Sequence, residues 1–217
     1  MSEAIDNHQI KDDIKKAYDE IAEVYLNWTQ PSHKVRLSYV DRMLRSLDPA
    51  EGNSQISILE LGCGAGVPCT ELLASREYIR VTANDISETQ IAMAKKRLPE
   101  SVNLIQGDMM ELEFSQEKFN AVMAMYSIFH LPRNEQTMIL RRIFDWLKPG
   151  GRLLANFPET GFASSSDQSW LGGTKGAMHW SGWEIGFEME IDEVVVDSEE
   201  KNGVSQSVPF HWILAKK

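Results

Sequence analysis

The chain has 217 residues, 42% hydrophobic and 25% charged, enough apolar material for a full core and unlike low-complexity or disordered sequence. Thirty-two acids against 22 bases give a formal charge of −10 with no offsetting Lys/Arg run, so a phosphate backbone is repelled and no nucleic-acid partner is expected. Two cysteines make no disulfide framework and have no metal-ligand spacing around them, and no apolar run marks a leader or a membrane span; a cytoplasmic, reducing setting without a membrane partner is expected.

Residues 7–28, "NHQIKDDIKKAYDEIAEVYLNW", carry Ile10, Ile14, Ala17, Tyr18, Ile21, Ala22 and Tyr25 on one stripe at helical spacing. Pro31 ends that helix, and a second is predicted over residues 33–47 before the turn-rich "DPAEGNS". A different rhythm follows. "ISILEL" reads as a buried strand, and "GVPCTELLAS" opens a helix with Pro68 in its first turn, where a missing N–H does no harm. "YIRVTAND" is a strand and "SETQIAMAKKRL" a helix with Ser87 as its N-cap. "VNLIQGD" and "FNAVMAMYSI" are strands, "NEQTMILRRIFDWL" a helix closed by the "KPGG" turn, and "RLLANF" a strand. Strands alternating with helices imply an α/β fold with a parallel sheet covered on both faces. Beyond it, "PETGFASSSDQSWLGGTKGAMHWSGWE" reads as a long Gly/Ser loop with three tryptophans. Two strands follow, over residues 186–196 and 208–215, with the Asn202-Gly203 pair of a tight hairpin between them. No internal repeat or second core is visible. One domain is expected, with segments 1–50, 56–158, 159–185 and 186–217 in different roles.

Gly62, Gly64 and Gly66 stand on alternate positions directly after the first strand. Such a turn permits positive φ and removes the Cβ atoms that hold a ligand off the backbone. In a doubly wound sheet it is also the turn that comes closest to a bound ligand. Asp85 ends the second strand, suited to the hydroxyls of a ribose, and Asp108 ends the third, suited to the exocyclic amine of adenine, with Met109 offering a backbone N–H and an apolar wall. A dinucleotide fingerprint would place its third glycine where Val67 stands.

At these residues the chain resembles the class I S-adenosylmethionine-dependent methyltransferases of small molecules. "ILELGCGAG" is similar to their first motif, with Glu60 as its acid, "ANDIS" to the second, "GDMMEL" to the third and "FNAVMAMYSIFHL" to the fourth; "YDEIAEVYLNW" is similar to their N-terminal lid helix. The resemblance implies a doubly wound, Rossmann-like sheet of about seven strands whose last strand, "FHWILAKK", inserts antiparallel, with residues 1–50 as a helical lid. It implies S-adenosyl-L-methionine as cofactor and a small molecule as methyl acceptor. Gly62 and Gly64 would then underlie the methionine part, Asp85 the ribose, Ile86 and Met109 the adenine faces, and Asp108 the adenine amine. The backbone near Met125 would meet the methionine ammonium, with Tyr18 and Tyr25 closing over from the lid. Both tyrosines equally fit the apolar stripe of their helix.

For an acceptor that loses a proton, His130 in "SIFHLP" is the candidate base, since imidazole titrates near neutrality. Histidines at strand ends also serve simply to hold a loop. Residues 159–185 are the expected substrate cover, with Met178, His179 and Trp180 as its contact residues and Trp170 and Trp183 adding flat apolar surface. The family usually has a helix between the fifth and sixth strands, and "HWSGWE" into "IGFEMEIDEVVV" leaves no room for it. A thinly covered sheet face is expected, closed by a second subunit in a homodimer or by the long loop. Two rivals share much of the pattern: an NAD-dependent oxidoreductase, and a non-catalytic methyltransferase-like binding domain.

Overall fold

The computed structural model describes residues 6–47, 55–159, 161–182, 191–201 and 204–217. Seven strands form one sheet: β1 (Ile56–Leu61), β2 (Ile79–Asp85), β3 (Asn103–Gln106), β4 (Phe119–Ala124), β5 (Leu147–Pro158), β8 (Ile191–Lys201) and β9 (Val204–Lys216). Their spatial order is β3-β2-β1-β4-β5-β9-β8. The first five run parallel, and β9 inserts antiparallel between β5 and β8. The resemblance implied this arrangement. Strand order reverses between β1 and β4, which opens a crevice at their carboxyl ends.

The central strands are apolar on both faces because both are covered. Ile58 of β1 packs with Tyr39, Val40 and Met43 of α2 (His33–Ser46) and with Ile91 and Ala94 of α4 (Glu88–Arg97). Leu59 and Leu61, on the opposite face, pack with Ile139, Ile143 and Trp146 of α5 (Arg133–Trp146). Ser87 caps α4, accepting from Gln90 N at 3.1 Å. The short α3 (Cys69–Ala74) follows the glycine bend, with Pro68 at its N-cap.

The two N-terminal helices differ in role. The first, α1 (Asn7–Trp28), matches the sequence stripe end to end but lies over the crevice. The second belongs to the core: Tyr39 stacks on Trp212 of β9, ring centroids 4.2 Å apart and 7° from parallel.

Three segments depart from expectation. "KPGG" is not a turn before β5 but an irregularity within it, where pairing shifts from Phe119↔Leu147 to Ala121↔Arg152. Gly151 is required there, because a Cβ would stand 2.8 Å from Lys148 O. Within 159–185, read as loop, β6 (Phe162–Asp167) and β7 (Met178–Gly182) form an antiparallel pair. Neither segment has strand periodicity of its own. Side chains from elsewhere hold β7: Gln136 Nε2 donates to Ser181 O at 3.0 Å and Arg133 Nε to Gly182 O at 3.0 Å. The last two strands also reach further than expected, with Lys201 paired to Val204. The hairpin residues Asn202 and Gly203, and Trp183, lie outside the described residues.

Among the described residues no α-helix separates β5 from β8. The outer face of β8 is accordingly thin, with Val194 exposed. The β6–β7 segment turns toward α1 instead of covering it. Glu20 of α1 accepts from Thr174 N at 2.6 Å and Lys175 N at 2.8 Å, and Gly176 lies so close to α1 that a Cβ would collide with Asp13 O.

Candidate cofactor and acceptor site

The glycine bend is shaped by the strands beside it. Gly62 takes φ +76° and Gly64 φ +55°, the left-handed region that side chains disfavour. A Cβ on Gly62 would stand 2.5 Å from Ser127 Cβ, so the close approach of bend and β4 tip admits glycine alone. Asp85 holds the bend from β2: Oδ2 accepts from Gly64 N at 2.8 Å and Oδ1 from Ser87 N at 2.9 Å. Burial pushes its pKa up to about 6, against the pull of those two N–H donors. Each oxygen keeps a second lone pair, and Asp85 lines the crevice. Glu60 lies beneath, accepting from Thr70 Oγ1 at 2.6 Å, with burial driving its pKa up to about 7.

Asn84 Nδ2 donates to Ile105 O and Gly107 O, fixing the end of β3. There Asp108 Oδ1 caps Met110 N at 2.9 Å, while Oδ2 is paired with Lys11 Nζ of α1 at 2.6 Å. Lys11 was not singled out from sequence, and it occupies the carboxylate assigned there to an amine. Ile86 and Met109 line the same end of the crevice.

Tyr18, Tyr25, Tyr126 and His130 line both this crevice and a second hollow of about 230 Å³. The further walls of that chamber are Trp28, Phe129, Phe162, Trp170, Trp180 and Phe210, closed by Pro158 and Pro209. No charged side chain is among its described lining residues.

His130 stands where crevice and chamber meet. Its Nδ1 lies 2.7 Å from His179 O, and a carbonyl only accepts, so Nδ1 carries the proton and Nε2 the lone pair. The Tyr18 hydroxyl, 3.0 Å away, donates to Nε2. Burial lowers the His130 pKa to about 4 and raises that of Tyr18 well above 10, so both are neutral at pH 7.

Of the residues expected from sequence, Tyr18, Tyr25, Gly62, Gly64, Asp85, Ile86, Asp108, Met109 and His130 line the crevice, and Trp180 lines the chamber. Glu60, Met125, Met178 and His179 line neither. Met178 is fully buried with Ile14, Ala17 and Ile21 of α1, and His179 serves through its carbonyl. Sequence reading passed over Gln90, Ser127 and Tyr126. Tyr126 takes φ +55°, its N–H donating to Asn156 Oδ1 at 2.6 Å, a backbone bend with no composition signal. Both amide atoms of buried Gln90, and Ser127 Oγ, have no hydrogen-bond partner and line the crevice. Unmatched polar atoms beside a side-chain-free bend fit a polar, adenosine-bearing ligand.

Residues 58–151 match a protein family described as "Methyltransferase domain". Over these residues the chain is similar to methyltransferase domains. It is 30% identical over 147 residues to a malonyl-[acyl-carrier protein] O-methyltransferase of Priestia megaterium, covering 65% of this chain and 49% of that one. It is 28% identical over 152 residues to a sterol 24-C-methyltransferase of Gibberella zeae, covering 63% of this chain and 39% of that one. The chain thus spans half or less of the length of these relatives. Among solved structures, a complex of DhpI with S-adenosylhomocysteine superposes with a TM-score of 0.64 at 17% identity, over 96% of this chain and 98% of that one. At that identity the likeness is one of fold. Among the described residues no His/Cys/Asp/Glu group is arranged for a metal, and no helix is long and apolar enough to cross a membrane.

Proposed function

We propose that this methyltransferase domain transfers a methyl group from S-adenosylmethionine to an O, N or S atom of an uncharged small molecule. One observation carries the reading: a polar crevice floored by glycines and edged by carboxylates adjoins a chamber of aromatic rings, with Tyr18, Tyr25, Tyr126 and His130 as their shared wall. The bound cofactor supplies an electrophilic methyl on sulfonium. The chain's own residues hold and orient. Asp85 accepts from ribose hydroxyls, Ile86 and Met109 flank the adenine, and Asp108 takes its amine once Lys11 withdraws. Tyr18 and Tyr25 cover this arrangement from α1. Glu60, Met125, Met178 and His179 act from behind, by shaping the bend, the β4 tip and the chamber wall that Trp180 completes.

Positioning supplies most of the rate: effective molarities of about 10⁵ M and more correspond to roughly 7 kcal/mol. His130 Nε2 is the final proton acceptor, by way of the Tyr18 hydroxyl bonded to it: Tyr18 passes its own hydrogen to Nε2 as it takes the acceptor's. A base whose pKa is about 4 takes little from a resting alcohol, but the acceptor's proton becomes strongly acidic as its new bond to carbon forms, so the transfer is late. The surplus of acid sets the surface against nucleic-acid acceptors, and two buried thiols suit a reducing compartment such as the cytoplasm. The thin β8 edge is where a second copy would pair, which sedimentation checks.

The test is incubation with labelled S-adenosylmethionine and a panel of neutral phenols, alcohols, amines and thiols, following demethylated cofactor and labelled product. Binding of the cofactor without turnover across the panel would favour the non-catalytic alternative. Calorimetric binding of NAD in its place would favour the oxidoreductase.

A further inference from the structure

The chamber beside the crevice is walled by rings. Its described lining residues are three tyrosines, three tryptophans, three phenylalanines, His130 and two prolines, with no leucine, isoleucine, valine or methionine among them. Flexible apolar side chains re-pack around whatever enters, whereas these rings have few torsions and brace one another. Trp170 sits in their midst. Its ring centroid lies 5.5 Å from Trp28, 5.8 Å from Trp180 and 5.9 Å from Tyr18, at interplanar angles of 78°, 84° and 81°. Edge-to-face packing of this kind fixes the ring planes, so the hollow keeps flat, stiff sides.

Size, charge and proton handling narrow the occupant. The volume of about 230 Å³ exceeds the roughly 150 Å³ of apolar cavity that takes one benzene, which gives room for one ring or two fused ones and too little for four. A cation would find ring faces, but the chamber shares Tyr18, Tyr25, Tyr126 and His130 with the crevice, so its occupant neighbours a positive sulfonium. An anion finds no charged partner among the described lining residues. A neutral, flat occupant is left. Tyr18 donates to His130 Nε2 at 3.0 Å, and its oxygen keeps lone pairs for an incoming O–H. An amine attacks through its own lone pair and a thiol ionises near pH 8.5, about the ordinary value, so a hydroxyl has the most use for this relay.

We propose that the chamber selects a planar aromatic alcohol, a phenol of one ring or two fused rings, as the methyl acceptor. This deepens the methyltransferase reading and rests on it. The phenolic oxygen bonds to the methyl carbon as that carbon's bond to sulfur breaks and the electron pair stays on sulfur. The phenolic proton goes to the Tyr18 oxygen as Tyr18's own hydrogen goes to His130 Nε2. A neutral methyl ether results, and the protonated imidazole returns its proton to solvent.

Calorimetry on the full chain with S-adenosylhomocysteine present compares 2-naphthol with decahydro-2-naphthol, which keeps the hydroxyl and both rings but is neither flat nor aromatic. The naphthol is expected to bind at least about tenfold more tightly. Trp170→Leu should reduce that preference to less than about threefold, and Trp170→Phe should keep most of it. Phe162→Leu, on β6, gives a second reading should Trp170→Leu fail to fold. Affinity for S-adenosylhomocysteine within about twofold of the unaltered chain marks a variant as folded. Equal affinity for the two alcohols, or tighter binding of a steroid alcohol, overturns the proposal. Tighter binding of tetramethylammonium overturns it in favour of a cation cage. A preference that survives both leucine substitutions places the naphthol elsewhere and overturns it as well. Failure of the unaltered chain to bind S-adenosylhomocysteine overturns the methyltransferase reading itself, and the acceptor role with it; binding of that nucleoside without the ring preference sinks the proposal alone.

Discussion

His130 is buried, its Nδ1 committed to the His179 carbonyl and its pKa drawn down to about 4 by desolvation. A base must be unprotonated to act. With cofactor saturating, kcat/KM for the acceptor should therefore stay level from pH 8 to about 5 and fall only below that. In His130→Gln the rate should drop about 10²-fold or more and the acidic limb should vanish. A change of less than about threefold would leave His130 holding β7 and nothing else. Glu60 makes a separate claim on pH. Its folded value of about 7 lies above the ordinary 4.5, so between these the native state keeps a proton that the unfolded chain has lost, and stability falls as pH rises through the window. Glu60→Gln removes the buried charge while leaving Thr70 an oxygen to donate to. It should raise the unfolding free energy by about 1–3 kcal/mol at pH 8 and not at all near pH 4, measured by urea unfolding. A loss at pH 8 would mean that the positive charge of Arg36 on α2, which pulls against burial on the Glu60 carboxyl, is enough to hold its ionised form. At this scale the sequence was informative where the backbone itself is constrained. Gly62 and Gly64 need positive φ, and Asp85 is placed by being the last residue of its strand. Gln90, Ser127 and Tyr126 were invisible because only the fold decides which way those side chains turn.

Among the elements, α1 shows how a segment can be well read and still surprise. Its stripe predicted its ends, but only Ile14, Ala17, Ile21 and Ala22 are buried. Around these, Tyr18, Tyr25 and Trp28 meet the Trp170 ring, and at the periphery the attachment is polar: Lys11 to Asp108 and Glu135, Lys15 to Glu88, Asp19 to Ser87 Oγ at 2.6 Å and Thr89 N at 3.0 Å, Glu20 to the Thr174 turn. Beneath it the crevice holds about 70 Å³, against the roughly 300 Å³ and above usual for ligand sites. We expect α1 to lift as the cofactor loads. Removing the Lys11–Asp108 pair costs the closed position about 1 kcal/mol, so Lys11→Ala should speed association of S-adenosylhomocysteine by about twofold to fivefold. Stopped-flow quenching of Trp28 and Trp170, beside the lid, reads it. An unchanged rate would show that α1 does not gate. The β6–β7 pair escaped sequence reading for the converse reason: its strands owe their conformation to His130, Arg133 and Gln136, distant in sequence, rather than to any period of their own.

For the molecule as a whole, the parallel core followed from alternating elements, because a strand covered on both faces must be continuously apolar. The place of β9 between β5 and β8 did not follow from pattern and came only through family resemblance. Charge is the other property that belongs to the entire surface. At −10 the protein attracts cations over a distance set by ionic strength, about 30 Å at 0.01 M and 8 Å at 0.15 M. S-adenosylmethionine carries a net positive charge from its sulfonium, and its demethylated product carries none, although the two share adenosine and tail. Their association rates should then diverge at low salt and converge at high salt, with the sulfonium losing several-fold between the two conditions and the thioether changing little. Parallel stopped-flow traces on the unaltered chain give both slopes. Equal slopes would mean that the attraction is local to the crevice, where Lys11 offsets Asp108, and that the acidic surface contributes solubility without steering. Unequal slopes would favour capture of the charged cofactor and release of the spent one, through the field of the fold rather than any single side chain.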